Sequence, residues 1–584
     1  MKAKASIVML VFFILYFSLL SAQSEGDYRT FQSGDWHSFN TWEVLIGGEW
    51  YLASSIPVAA TANVITIRAG HTVNVSNHIT IDQTVVEADA HVVGAFDARI
   101  IVNDGDGDDL VVYGSLSTSG TSNQNSIGLS GSGKVIIFGD YYWQSGGITN
   151  TDLWIEPSGT MTLQGSAPKI MRAGAVINNQ GSILHEDDSG NFMGVGNSVL
   201  NNLEGGLYHM MGAGNLRYEY SYDWYDMYAF NNYGTILKSA TETTYTIFRG
   251  TFNNYGTIEI EEGSLQISGS GVYTSSGPME IALGADFRLY NGAKFILNDD
   301  ASINGGGVLL LDQSNTNQVL VVNASVPLAE SITVDFINGT IGGNGTLNIN
   351  GEFIYRGGRY EGPGMNLGSS AVLRICEGLE KRLCGSSVMN NYGQIIIEDS
   401  QTWHSNSGAV INNHIGGLID FLSNGNILYR SDLGGAKTVL NNYGTLVKSA
   451  GTGTSSLNRI EFNNHEGAIC QVQSGELRLV SYGEGTNSGS VLVNEACIFS
   501  IKENFDWTMA EGSMIDGFGT LLLDGGDILL SGNVDGASIG ADIDFQMLSG
   551  SIGSTGKLNL LGDMLWSGGT LWCGNLIVSA NSSV

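Results

Sequence analysis

The sequence predicts an all-β protein, a right-handed parallel β-helix solenoid with a β-rich cap at its N-terminal end. Three observations predict it: a short motif recurs at intervals near 22 residues, apolar and polar residues alternate in short runs, and helical periodicity is absent after the N-terminal segment. About 22 residues suffice for three short strands and three turns, which make one coil of such a solenoid. The run from Thr257 to Glu261 alternates in this way and predicts a strand with one buried face.

The recurring motif is an apolar residue followed by two asparagines, a glycine and an apolar strand start. Its eight copies begin at Asn178, Asn201, Asn231, Asn253, Asn390, Asn412, Asn441 and Asn463, with spacings of 23, 30 and 22 residues and then 22, 29 and 22. Asparagine tolerates the left-handed backbone region, and stacked amides can bond one another. The motif therefore predicts structural Asn turns that stack as a ladder. The apolar residues expected to point inward after these turns include Ile236, Ile258, Leu418 and Leu446.

A longer repeat contains the short one. Asn178 and Asn390 are 212 residues apart, and a second signature begins at Gly133, Gly345 and Gly556. This spacing predicts one repeat unit over 133–344, a second over 345–555 and a third that starts at 556 and stops at 584. A solenoid normally ends in an atypical capping repeat, so either the natural protein is expected to continue beyond this point or this sequence is a fragment of it.

The composition narrows the classes of partner. The chain has 25 basic and 57 acidic residues, a formal charge of −32, and 81 glycines with only 14% charged residues. Binding to nucleic acid or to anionic lipid needs a basic face, so neither is expected. Low charge density with 42% apolar residues fits a folded protein with a self-repelling surface.

The first 22 residues have the pattern of a secretory signal peptide. Lys2 and Lys4 form the positive start, an apolar stretch runs from residue 7 to 20, and Ser21-Ala22 is a small-residue exit. Cleavage is expected after Ala22. No later stretch is apolar for long enough to cross a bilayer, so the mature chain is predicted to be secreted or held at the cell surface without a transmembrane span.

Residues 27–118 have a different pattern. They carry Gly34-Asp35-Trp36, Thr41-Trp42, Ile56-Pro57, the strand-like run 64–67 and Gly70-His71-Thr72-Val73. This order resembles the eight-glycine domain of extracellular proteins, which implies a β-rich segment that leads into a β-helix and caps its first coil.

The arrangement as a whole resembles the large secreted, adhesin-like repeat proteins of Bacteroidetes-type bacteria, which commonly leave the cell by the type IX route. The resemblance implies a place on the bacterial outer surface or outside the cell, and it assigns no active site.

The best candidate for ligand binding is an aromatic cluster in one long-spaced insertion. Aromatic faces stack on sugars, and loops that project from a solenoid are common binding surfaces. The corresponding stretch of the second repeat unit, 431–437, has no aromatic residue. The alternative is a local hydrophobic cluster that covers the side of the solenoid. The predicted sugar-binding residues are Tyr218, Tyr220, Tyr222, Trp224 and Tyr225, with Tyr228 close by.

Two further sites are predicted from shorter patterns. Asp104, Asp106 and Asp108 alternate with other residues, and three such carboxylates can converge on calcium; the alternative is a solvated acidic turn. No other cofactor is expected. Cys376 and Cys384 bracket a short charged insert and can close it as a disulfide in an oxidising compartment, the alternative being two free thiols.

The function predicted from the sequence is that of a secreted or cell-surface, adhesin-like structural protein without catalytic residues. The expected partner is an extracellular glycan or a cell-surface protein. The alternatives are a carbohydrate-binding module and the non-catalytic scaffold of a larger polysaccharide-active enzyme, since many such enzymes use parallel β-helices although fold alone does not imply activity.

Overall fold

A computed structural model describes residues 23–119, 127–186, 191–218, 228–240, 243–313, 318–532, 534–580 and 582–584. The chain divides into two compact units, 1–256 and 257–584. In each unit the described residues form coils of a parallel β-solenoid, in which most strands pair in parallel with the strand three places later in the chain. The predicted all-β parallel solenoid is confirmed.

The first unit has three parallel sheets, here called A1, B1 and C1. Sheet A1 contains Tyr28–Thr30, Ile65–Ile67, Thr84–Val86, Leu110–Val112, Lys134–Ile137, Asp152–Ile155, Val176–Asn179, Val199–Asn202, Ala229–Asn232 and the second half of Thr244–Asn254. Sheet B1 contains Gly34–Asp35, Thr72–Val75, His91–Gly94, Ser115–Thr118, Asp140–Trp143, Thr160–Leu163, Ser182–His185, Leu207–Met210 and Thr235–Lys238. Sheet C1 contains Ile79–Ile81, Ile100–Val102, Ile127–Ser130, Gly146–Thr149, Lys169–Arg172, Asn191–Gly194, Asn215–Tyr218 and the first half of Thr244–Asn254.

The N-terminal end of the first unit carries the predicted cap. The strand Trp42–Ile46 pairs antiparallel with Tyr28–Thr30 and with Glu49–Leu52, after a 3₁₀ turn at Phe39–Thr41. Trp36 and Trp42 are fully buried with their ring centroids 4.8 Å apart, and the Trp36 indole donates a 3.1 Å hydrogen bond to the Pro57 carbonyl. These antiparallel strands occupy the edge that the first coil would otherwise expose.

The second unit also has three parallel sheets, here called A2, B2 and C2. Sheet A2 contains Thr257–Ile260, Pro278–Ile281, Ser302–Gly305, Ser325–Leu328, Thr346–Ile349, Gly364–Leu367, Val388–Asn391, Val410–Asn413, Val439–Asn442, Glu461–Asn464, Glu484–Asn487, Asp506–Met509 and part of Thr520–Leu530. Sheet B2 contains part of Ser264–Ser275, then Asp286–Tyr290, Val308–Asp312, Thr333–Asn338, Glu352–Tyr355, Val372–Ile375, Gln394–Ile397, Leu418–Phe421, Thr445–Lys448, Ile469–Val472, Ser490–Val493, Met514–Gly517 and Ala537–Ile539.

Sheet C2 completes the second unit, and the longest strands bend round a corner to join two sheets. It contains the rest of Ser264–Ser275, then Phe295–Leu297, Gln318–Val322, Thr340–Gly343, Gly358–Glu361, Lys381–Cys384, Thr402–Ser405, Asn426–Tyr429, Thr454–Asn458, Glu476–Val480, Ile498–Lys502, the first half of Thr520–Leu530 and Met564–Trp566. The strands Asp544–Leu560 and Thr570–Val578 follow Thr520–Leu530 round the last coils. A 3₁₀ turn lies at Ser431–Leu433.

The core of each unit is a column of inward side chains that alternate with outward ones. Ile236, Ile258 and Leu446 are fully buried, as predicted. The prediction for Leu418 is wrong: Leu418 begins its strand facing outward, and its neighbour Ile419 is buried instead. The strand starts one residue earlier than the hydrophobic pattern suggested, and a shift of one residue exchanges the two faces.

The Asn pairs end strands of sheets A1 and A2 instead of lying in turns. The backbones of the described Asn pairs stay out of the left-handed region, so that part of the prediction is wrong. The predicted ladder is confirmed, and it is double. The first asparagines bond in one column, with Asn412 Nδ2 donating to Asn390 Oδ1 at 2.9 Å, and the second asparagines bond in another, with Asn413 Nδ2 donating to Asn442 Oδ1 at 2.7 Å.

The long repeat does not span a whole number of coils. Leu309 to Asp312 lie in sheet B2, whereas Leu521 to Asp524, the same motif 212 residues later, lie in sheet C2. Within the second unit, the second copy of this motif therefore lies in a different sheet from the first copy. The repeat boundary at 344/345 lies inside continuous sheets, while the division of the chain into two compact units falls after Gly256.

Candidate functional site

The predicted aromatic insertion falls mostly outside the part of the chain that the structure describes. Tyr220, Tyr222, Trp224 and Tyr225 are outside it, and of Tyr218 only the backbone is described, at the end of a strand of sheet C1. Tyr228 follows the insertion and is buried. A Cβ on Gly194 or on Gly250 would approach the Tyr228 side chain to 2.4 or 2.5 Å, so Tyr228 is a core residue.

The corresponding insertion of the second unit borders an open cleft of about 300 Å³. The cleft lies at the turns between sheet C2 and sheet A2 and is built from three successive coils. The first coil supplies the insertion, the second a single turn residue and the third an aromatic residue. The residues that line it are Tyr429, Ser431, Lys437, Arg459 and Tyr482, called the basic–aromatic cleft below.

Tyr429 holds the insertion in place. It ends the strand Asn426–Tyr429, is only 8% exposed, and donates a 2.7 Å hydrogen bond from its hydroxyl to the Gly435 carbonyl. The chain between them forms the 3₁₀ turn that carries Ser431. A buried side chain thus fixes the position of an exposed hydroxyl, which is how a rigid scaffold presents a loop residue for binding.

Arg459 supplies the positive charge of the cleft. It is exposed, and its backbone has φ +59°, a left-handed conformation that a non-glycine residue adopts at a cost of about 1–3 kcal/mol. Its Nη1 donates to Ser431 Oγ at 3.3 Å. Among the described residues it has no carboxylate partner, so most of its five donors remain directed to solvent.

Tyr482 supplies the aromatic surface. It follows the strand Glu476–Val480, has φ +58°, and is 66% exposed. Ser481 before it also has positive φ. Two consecutive left-handed residues without glycine turn this ring outward at the level of Arg459, instead of into the core. The same pair of left-handed residues recurs one coil later at Glu503 and Asn504.

Lys437 is the second cation, and it is already paired. Its Nζ lies 2.7 Å from Glu484 Oε1, and both side chains are more than a third exposed. An exposed pair of this kind contributes at most about 1 kcal/mol. A ligand carboxylate can therefore compete with Glu484 for the ammonium group at little cost.

The neighbouring arginine is neutralised by its own carboxylates. Arg430 donates to both oxygens of Asp432, at 2.7 and 2.6 Å, and to Glu380 at 3.3 Å. The Arg430 guanidinium lowers the pKa of the Asp432 carboxyl to about 2. Arg382 also donates to Glu380 and lowers its pKa. Arg430 is therefore saturated, in contrast to Arg459.

A column of acidic residues runs beside the cleft. Glu461, Glu484, Asp506 and Asp527 stand opposite one another on adjacent strands of sheet A2. Partial burial raises the pKa of Asp506, with the like charges of Asp527 and Glu484 adding to the shift. Highly charged polyanions are disfavoured next to this column, because their negative charges would be repelled by its carboxylates.

The internal repeat keeps two of the cleft residues. Tyr429 corresponds to Tyr218 at an offset of 211 residues, and Arg459 corresponds to Arg249 at an offset of 210. Arg249 also adopts a left-handed backbone, with φ +56°, and its guanidinium lies 4.7 Å from the ring centroid of Phe248. These matched offsets were readable in the sequence, and they are the signal that could have identified Arg459.

The acidic loop of the first unit does not gather its carboxylates round a point. Asp104, Asp106 and Asp108 are exposed, and no group of three His, Cys, Asp or Glu residues in the described ranges is arranged to hold a metal ion. Asp109 is the buried member: its carboxylate accepts hydrogen bonds from the backbone N–H of Gly105 at 2.9 Å and of Lys134 at 2.6 Å. Calcium binding by this loop stays a prediction.

The predicted disulfide is not formed. Cys376 and Cys384 are both free thiols, which was the alternative. The Cys376 thiol donates to Glu398 Oε2 at 3.4 Å, whereas Cys384 is buried and its thiol donates to the Tyr360 carbonyl at 3.6 Å. Burial raises the pKa of each thiol to about 11, so neither is a ready nucleophile.

Comparison with known proteins returns no family: no family model matches the chain, and no curated protein matches it. In the described part of the chain, no helix has the length and apolar character needed to cross a membrane.

Proposed function

We propose that this protein is an extracellular, non-enzymatic, adhesin-like scaffold that binds saccharides through the basic–aromatic cleft. The observation that carries the proposal is an exposed aromatic ring beside a guanidinium that has no carboxylate partner among the described residues, on two successive coils of the solenoid. A ligand site needs a few polar groups at fixed positions beside an apolar surface. Here Tyr482 provides the surface, and Ser431, Lys437 and Arg459 provide the polar groups.

The test of binding is a glycan array probed with the recombinant chain from Gln23 onward. We expect selective binding that Tyr482→Ala reduces at least tenfold. Tyr290→Ala is the matched control, because Tyr290 is a 46% exposed tyrosine of sheet B2 away from the cleft, and it should leave binding unchanged. Equal binding by the wild type and the Tyr482→Ala variant would refute the cleft as the site.

Incubation with the bound glycan separates a binding scaffold from an enzyme. Mass spectrometry of the glycan after prolonged incubation should show the original molecule alone. A shortened or unsaturated product would refute the non-enzymatic role and make this chain part of a polysaccharide-active enzyme.

Export is supported by residues 1–22 and has its own test. Expression in a bacterial host with the leader intact should give a mature protein that begins at Gln23 and is recovered outside the cytoplasm. A cytoplasmic protein that retains its first 22 residues would contradict an extracellular role.

A further inference from the structure

We infer that the ligand of the basic–aromatic cleft is an anionic saccharide, one that carries a carboxylate on the sugar ring, as uronic acids do. This inference rests on the proposed function, because it names the class of sugar that the same site takes. The carboxylate would bind the guanidinium of Arg459, and the sugar ring would lie against Tyr482.

The negative charge of the ligand follows from the state of Arg459. Arginine presents paired N–H donors whose geometry matches a carboxylate. The arginine nearest in sequence to the cleft, Arg430, already makes this bidentate contact with Asp432. In the described part of the chain, the guanidinium of Arg459 bonds the hydroxyl of Ser431 and no carboxylate. On a chain with a net charge of −32, an exposed arginine in this state beside a cleft is the place where an anion gains most.

The long repeat keeps an arginine at the turn of Arg459. Glycine is the residue that suits φ +59°. Both copies of the repeat nevertheless place arginine at this turn, Arg249 in the first and Arg459 in the second. Left-handed non-glycine residues also occur at other turns of the solenoid, such as Ser407 and Asn504, so the retained arginine side chain, and not the turn itself, points to binding.

The saccharide part of the ligand follows from the rest of the cleft. A free anion would need only the cations, whereas the cleft also offers the Tyr482 ring and the Ser431 hydroxyl. Its volume of about 300 Å³ is at the lower end of the range for ligand pockets and suits one or two sugar rings. Its open sides allow a chain of sugars to continue past it.

The acidic column sets an upper limit on the charge density of the ligand. Glu484 lies 2.7 Å from Lys437 and belongs to the column that continues to Asp506 and Asp527. A sugar with one carboxylate can place its charge on Arg459 and keep its uncharged edge toward this column. A densely sulfated chain or a nucleic acid cannot bind in this way, because its closely spaced charges would also face the column.

The experiment is calorimetric titration of the chain from Gln23 onward with a hexamer of galacturonic acid and with a neutral galactose hexamer. We expect binding of the uronate hexamer, at least tenfold stronger than that of the neutral one and weakened by added salt. Arg459→Gln should lower the affinity at least tenfold. Arg359→Gln is the matched control, since Arg359 is another arginine of sheet C2 with no ion pair among the described residues, and it should have no effect.

Arg459→Gly separates a loss of binding from a loss of folding. Glycine relieves the left-handed strain, so the melting temperature should stay equal or rise while uronate binding is lost. Glu484→Gln should strengthen uronate binding, because it frees Lys437 and removes a negative charge from the edge of the cleft.

The outcomes are distinguishable. If both hexamers bind equally, Arg459→Gln is silent and Tyr482→Ala abolishes binding, the cleft binds sugars but the anionic ligand is wrong. If sodium acetate at the same carboxylate concentration displaces the uronate hexamer, the site recognises only the anion and the saccharide inference is wrong. If neither hexamer binds and the glycan array is also blank, the proposed function fails together with the inference.

Discussion

At the scale of single residues, the solenoid is held by two amide columns that run side by side in opposite directions. In the outer column each Nδ2 donates to the previous coil, as Asn441 does to Asn412 at 3.0 Å. In the inner column each donates to the next coil, as Asn442 does to Asn464 at 2.8 Å. The inner amides are fully buried and also donate to a backbone carbonyl, so every inner link satisfies polar groups that water cannot reach.

The two columns should differ in their contribution to stability. Asn413→Ala removes a buried side chain that bonds Asn391, Asn442 and the Thr445 carbonyl, so three hydrogen bonds are lost, although Asn391 Nδ2 keeps its bond to the Leu418 carbonyl. We expect a loss of about 1–3 kcal/mol for each group left unsatisfied, reduced by relaxation. Asn412→Ala is the matched control in the outer, half-exposed column and should cost about 1 kcal/mol or less. Denaturant unfolding of both variants measures the difference, and equal losses would contradict a structural role for burial.

The Asn ladder could be predicted from the sequence, whereas the inward face of each Asn pair and the cleft could not. The Asn ladder was predictable because identical amides at one coil spacing must stack. Which member of each pair faces inward was not, because a slip of one residue exchanges the faces, as Leu418 and Ile419 show. Tyr482 lies 53 residues after Tyr429 in the chain, and no local pattern indicates that two coils of the solenoid bring them to one cleft.

At the scale of strands, like charges in register are a cost that the fold tolerates. Asp506 begins a strand between Glu484 and Asp527, and its pKa is raised in the folded protein. A carboxyl with a raised pKa contributes stability that is present below its unfolded pKa and is lost as the pH rises through the folded value. The charged column therefore weakens this part of sheet A2 at neutral pH.

Removing one charge from the column should stabilise it. Asp506→Asn should raise the free energy of unfolding at pH 7 by about 0.2–1 kcal/mol, the usual range for charged pairs opposite one another in a sheet. At pH 3, where the aspartate is protonated in both states, the variant should match the wild type. Thermal unfolding from pH 3 to 7 checks this, with Asp542→Asn as an exposed control that makes no ion pair in the described structure. A gain that is the same at every pH would show that charge is not the cause.

A single glycine permits the largest side chain of sheet A2 to span two coils. Gly485 stands in register between Phe462 and Trp507, and the Trp507 indole donates to the Phe462 carbonyl at 3.2 Å. A Cβ on Gly485 would lie 1.9 Å from that carbonyl oxygen. Because Gly485 has no side chain, the Trp507 indole can pass over it and reach Phe462, which lies two coils earlier.

Gly485→Ala should therefore destabilise the second unit by about 1–3 kcal/mol, the cost of overpacking a tight core. Gly306→Ala is the control, because the nearest atom to its Cβ would be 3.6 Å away, an ordinary contact. The measurement is denaturant unfolding followed by tryptophan fluorescence. Equal midpoints for both variants would show that the strands separate to admit the methyl group.

At the scale of the whole molecule, stability in each unit is a sum of neighbouring contacts. Each strand pairs only with the coils directly before and after it, so a perturbation has no path except from coil to coil. This is also why the overall fold was predictable from the sequence. Coil length, alternation and ladder residues are all local properties that repeat, whereas the cleft combines residues of three coils that no local property relates.

Hydrogen exchange of the backbone amides in the Gly485→Ala variant tests whether a perturbation stays within the neighbouring coils. Protection should fall in the two strands that pair with Glu484–Asn487, namely Glu461–Asn464 and Asp506–Met509, because the clash lies between them. Amides of Ser325–Leu328, many coils away in the same sheet, should exchange as in the wild type, since local opening in a solenoid does not require distant coils to open. A uniform loss of protection along sheet A2 would mean that the second unit opens as one cooperative body, and that its coils are coupled far more strongly than nearest-neighbour pairing provides.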